Sequence, residues 1–160
     1  MIEKPYPGAL VAAGALLGMG LGGFLDGIVL HQILQWHNML SSVVTPDTLV
    51  RVKFNMLFDG LFHAMTWAMT AVGLALLWRA SQRADVPWTT RTFVGSLSLG
   101  WGLFNVVEGL IDHHLLGLHH VHPGNDQLAW DLGFLVLGVA LTGAGLGLIR
   151  RASVGRPRGA

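Results

Sequence analysis

The chain contains no cysteine. That one absence removes structural disulfides, thiolate metal sites, cysteine nucleophiles and cysteine-ligated iron–sulfur clusters. Charge is scarce too: Asp, Glu, Lys and Arg make up 12% of the 160 residues, about half the share usual in a soluble domain. The formal net charge is +1, and with no basic stripe to track phosphates, nucleic acid is excluded as a partner. What fills the chain instead is apolar, with 52% hydrophobic residues and 22 glycines. The length suits a single domain over residues 1–160,.

Four apolar stretches stand out, at about 8–34, 54–78, 92–116 and 127–149. Each can cross the roughly 30 Å hydrocarbon core as a helix, the form lipid demands because it offers backbone polar groups no partner. The first could be mistaken for a signal peptide. Its apolar run, however, continues past residue 20 into FLDGIVLHQILQW without a convincing cleavage site, so it is expected to remain as a span. Glycines in GMGLGG and LTGAGLGLI allow close helix contact in lipid. The predicted fold is all-α, a transmembrane four-helix bundle whose partner is the lipid bilayer.

Basic residues give the direction. Lys4, Arg79, Arg83, Arg91, Arg150, Arg151, Arg156 and Arg158 fall at one end, against Arg51 and Lys53 at the other. Cytoplasmic loops carry the excess of Lys and Arg, so both termini are expected in the cytoplasm. All eight histidines, His31, His37, His63, His113, His114, His119, His120 and His122, then fall in the outward half. Asp26, Asp59, Glu108, Asp112 and Asp131 lie at or above mid-depth with them.

DGIVLHQILQWHN (26–38) aligns without a gap over EGLIDHHLLGLHH (108–120). Asp26 meets Glu108, Gly27 meets Gly109, His31 meets His113 and His37 meets His119. The return spans echo each other more faintly, DGLFH at 59–63 against DLGFL at 131–135. The alignment predicts two helical hairpins, 8–78 and 92–149, repeated in parallel about an axis along the membrane normal.

Ionised carboxylates facing lipid are costly, so these groups are expected inside the bundle or in an aqueous vestibule. A dry cluster of carboxylates repels itself unless a cation sits among them. Imidazole beside carboxylate is an ordinary ligand set for Fe, Mn, Zn or Cu(II). The leading expectation is therefore a transition-metal site between the helices, open to the outer face. Asp59, His63, Glu108 and His113 form its inner set, with His31 from the matching position. Asp26 and Asp112 serve as ligands or hold an imidazole nitrogen. His37, His119 and Asp131 complete the candidate ligands. No HExxH is present, and Ile111 stands where a Glu-x-x-His step from Glu108 would need histidine,. Four readings follow: redox or metal handling, a b-type haem on His31 and His113, ion or proton movement, and a structural or assembly role in a membrane complex. Pairing of two copies through glycine-rich faces is left open, as is catalysis.

The blocks GFLDGIVLHQILQWHNML, FNMLFDGLFHA and NVVEGLIDHHLLGLHHV resemble a bacterial family of predicted four-span inner-membrane proteins without assigned function. The resemblance covers about residues 18–148. It implies the bacterial inner membrane, a four-span fold and ten characteristic polar positions. These are Asp26, His31, His37, Asp59, His63, Glu108, Asp112, His113, His119 and His120. Members often carry His-His where this chain has His37-Asn38.

Overall fold

The structure, a computed structural model, describes residues 7–154. Lys4, Arg156 and Arg158, three of the residues that set the expected orientation, lie outside them. Four helices follow in order: α1 (Gly8–Asp26), α2 (Leu49–Ser81), α3 (Thr90–Glu108) and α4 (Gln127–Val154). All four are long and apolar enough to cross a membrane, and among the described residues there is no strand. α1 and α3 each run on into a seven-residue π-helical segment, Gly27–Ile33 and Gly109–Leu115.

α1 and α3 form the central pair. α2 packs on α1 and α4 on α3, while the backbones of α2 and α4 keep clear of each other. The central contact is close because both helices lack side chains there. A Cβ on Gly18 would collide with the Leu97 carbonyl, and one on Gly100 with the Ala15 carbonyl. Near the described termini the packing is apolar, built on Leu10, Ala80 and Val86. α2 and α4 turn large apolar side chains outward, Trp67, Val136 and Val139 being more than 60% exposed. Such surfaces suit acyl chains and would be a liability in water.

The helices outrun their apolar stretches. α2 starts at Leu49 rather than near residue 54, because Thr48 takes the cap position and its Oγ1 accepts from the Arg51 amide,. Arg51 and Lys53 thus stand in helix rather than loop. α4 continues past residue 149 to Val154. Hydropathy marks the length that meets lipid, whereas caps and turns mark where the helix ends.

After each π segment the backbone enters a left-handed conformation, at Gln35 (φ 52°) and at Gly117 (φ 57°). Glycine accepts this without cost, but a side chain meets its own carbonyl there, at roughly 1–2 kcal/mol. Gln35→Gly is therefore expected to stabilise the protein by about 1 kcal/mol. Chemical denaturation in detergent measures it, and Gly117→Gln is expected to move the midpoint the other way.

Candidate metal centre

The π winding builds the site. In an α-helix, residues five apart point about 140° away from each other; i→i+5 winding brings them onto one face. Asp26 Oδ2 accordingly lies 3.2 Å from His31 Nε2. The left-handed residues then turn the chain back, so that His37 and His119 reach the centre from the loops. Their rings stack at 4.6 Å with 14° between planes. His31 meets His37 edge-on at 4.4 Å, and His113 meets His119 at 4.7 Å. The four imidazoles form a row: His31, His37, His119, His113.

Three of the four rings are held through Nδ1. His31 Nδ1 donates to Asp59 Oδ1 (3.0 Å). His37 Nδ1 donates to the Val121 carbonyl (2.8 Å), and His119 Nδ1 to the Met39 carbonyl (3.1 Å). His113 Nδ1 stands 3.4 Å from Asp131 Oδ1, beyond a formed hydrogen bond. The two aspartates also tie down the loops. Asp59 accepts from the Met39 amide (2.7 Å) and Asn38 Nδ2 (2.7 Å). Asp131 accepts from the Val121 amide (2.9 Å) and His120 Nδ1 (2.6 Å). Asn38 thus does for one half what His120 does for the other, which accounts for asparagine at that position.

With Nδ1 carrying the proton, Nε2 presents a lone pair inward. Buried acceptors accumulate there: Asp26 Oδ2, His31 Nε2, His37 Nε2 and both oxygens of Glu108 have no hydrogen-bond partner. Glu108 Oε1 is 3.6 Å from His119 Nε2, and His113 Nε2 is 3.2 Å from His119 Nε2. Neutral His113 cannot satisfy both its neighbours. A proton on Nε2 leaves a lone pair against Asp131, and a proton on Nδ1 leaves one against His119. Burial, with repulsion from neighbouring imidazoles behind it, lowers His37 and His119 to a pKa of about 3. They are therefore neutral at pH 7, the form that binds metal.

Four carboxylates and four imidazoles gather here, none more than 5% exposed. Among the described residues no Lys or Arg is buried with them. Three sets of ligand atoms fall within 4.8 Å of one another: His31, His37 and His119; Glu108, His113 and His119; Asp26, His31 and Glu108. Unpartnered acceptors with no Lys or Arg to balance them fit a cation.

The structure brings together six of the ten candidate ligands: Asp26, His31, His37, Glu108, His113 and His119. Asp59 and Asp131 stand behind the imidazoles as their holders. His63 is apart, since its Nδ1 donates to the Asp59 carbonyl one turn back in α2 (2.7 Å) and its ring lies against Gly27. Asp112 lines a cleft beside Glu108. The backbone carbonyls of Met39 and Val121 were not legible as orienting groups in the sequence, because nothing in a side-chain pattern marks a carbonyl. Asp59→Ala frees His31 and the loop together. It is expected to weaken metal binding by roughly 10–100-fold, while Asp59→Asn, which keeps an acceptor oxygen, loses less; a chelator competition titration separates the two.

No curated protein and no solved structure matches the chain. One family does: its model, described as predicted membrane protein (DUF2243), matches residues 13–152. The chain belongs to that family.

Proposed function

We propose that this integral membrane protein binds transition metal between its two central helices. Nε2 of His31, His37, His113 and His119 and the carboxylates of Asp26 and Glu108 form the ligand set, with Asp59 and Asp131 orienting the imidazoles. One observation carries the reading: among the described residues, buried imidazole nitrogens and carboxylate oxygens converge, several without a hydrogen-bond partner, with no Lys or Arg among them. Such an arrangement is unfavourable until a cation supplies the missing charge. Six nitrogen and oxygen ligands suit one or two ions of Fe, Mn, Zn or Cu(II), which would serve redox chemistry or metal handling.

We further propose that the two hairpins arose by duplication. The spacing that relates Asp26 to Glu108 also relates His31 to His113, His37 to His119, Asn38 to His120 and Met39 to Val121. The excess of Lys and Arg at the opposite end supports cytoplasmic termini and an outward-facing centre, in a bacterial inner membrane. An association of copies would use α4, where Gly143 and Gly147 meet nothing within 4 Å,.

Haem on His31 and His113 is less favoured, because the stacked rings of His37 and His119 occupy the row between them. Ion or proton movement is less favoured too: among the described residues, the buried polar side chains toward the termini are Thr66, Thr92 and Ser96, none of which titrates.

Metal analysis of protein extracted in mild detergent without chelator tests the proposal. Stoichiometric metal, or cobalt(II) taken up with a ligand-field spectrum, is the expected result. Absence of both overturns it.

A further inference from the structure

We infer that a methionine-lined cleft between α2 and α3 binds the hydroxylated ring of a lipid-soluble hydroquinone or phenol beside the metal centre. This names the substrate class of that centre and so rests on the reading above.

The cleft holds about 240 Å³. It lies where the backbones of α2 and α3 do not approach each other, so it opens sideways, toward acyl chains. Its walls are apolar except at one end, where Glu108 and Asp112 meet. Glu108 is 4% exposed and neither of its oxygens has a hydrogen-bond partner in the protein. One oxygen on the metal leaves the other, with the Asp112 carboxylate, to accept hydrogen bonds, which selects a head bearing hydroxyl donors. Phe62 and Phe104 flank the space, and the thioethers of Met19, Met39, Met65 and Met69 line it; both groups make favourable contacts with an aromatic ring. The volume is below the roughly 300–1,000 Å³ of sites that enclose a whole ligand. It admits a ring and leaves a tail in the bilayer.

The other half of the molecule supplies the comparison. An equivalent cleft beside Asp26 holds about 140 Å³ and is lined by Leu30, Trp101, Phe134 and Leu137. Leu30 occupies the position of Asp112, Trp101 that of Met19 and Leu137 that of Met65. The same packing is thus met without a second carboxylate and without methionine. The wider, acidic, methionine-lined version is not a requirement of the fold.

Equilibrium binding of a tritiated decyl hydroquinone to the purified full-length protein in detergent tests the inference, with metal content measured in the same samples. Saturable binding is expected, weakened at least tenfold by Asp112→Leu and by Met65→Trp. Met56→Leu, outside the cleft, is expected to leave it unchanged. Size-exclusion profiles confirm that each variant is folded, and Met65→Leu, the residue of the equivalent position, serves where Met65→Trp does not fold. Binding that survives both cleft substitutions overturns the inference. Equal competition by decanoate does so as well, and so does displacement by silver(I), which would make the cleft a thioether cation site. Metal retained without hydroquinone binding defeats the cleft alone. Hydroquinone binding without metal defeats the metal centre and leaves the cleft standing as a binding site.

Discussion

His119→Ala is expected to lose most of the bound metal. Like His31 and Glu108 it belongs to two of the three ligand sets; its Nε2 sits 3.2 Å from His113 Nε2 and 3.6 Å from Glu108 Oε1, and its ring stacks on His37. Removing an outer partner of a metal ligand already costs roughly 10–100-fold in affinity, so losing a shared ligand is expected to cost on the order of 100-fold or more. Alanine also leaves a cavity against His37. Metal-to-protein ratios after purification at fixed pH measure the effect. His63→Ala is the informative control: its Nδ1 is bonded within its own helix, and metal content is expected to stay at the parental level.

Gly100→Ala is expected to have the largest effect on stability. The added methyl runs into the Ala15 carbonyl, and backbone on a facing helix cannot rotate away as a side chain can. Overpacking a core usually costs 1–3 kcal/mol; a collision with fixed backbone is expected at or beyond the upper end, about 3 kcal/mol or more. Gly18→Ala meets the Leu97 carbonyl in the same way. Either change pushes α1 and α3 apart, and with them Asp26 and Glu108, so stability and metal content are expected to fall together. Gly143→Ala has open space around it and is expected to be neutral in both readouts. Unfolding in graded SDS, followed by circular dichroism, checks the series.

The sequence reveals the four helices because lipid leaves little choice of structure, and their apolar stretches are long. The two aligned segments, 26–38 and 108–120, also hold the polar residues that the fold gathers into one cluster. What the sequence hides is how they meet. Counting 100° per residue separates Asp26 from His31, and only π winding after Gly27 unites them. The first apolar stretch ends near residue 34, and the chain breaks just beyond it at Gln35, a glutamine in a conformation that sequence rules reserve for glycine. Asp59 and His63 look like two ligands one turn apart, yet His63 spends its Nδ1 on the carbonyl of Asp59. A local backbone acceptor is invisible in a pattern of side chains, so one imidazole read as a ligand lies outside the cluster.

His37 bonds to the carbonyl of Val121, and His119 to that of Met39. Each hairpin therefore reaches across and fastens the imidazole of the other. A lone hairpin would own half of the cluster with one ring untethered, so the single-hairpin ancestor that the proposed duplication implies works only as a symmetric dimer. On the proposed duplication, residues 82–89 make that encounter intramolecular and independent of concentration,. They also release the two halves from identity, so that one flank carries Asp112 and methionines while the other keeps leucine and tryptophan.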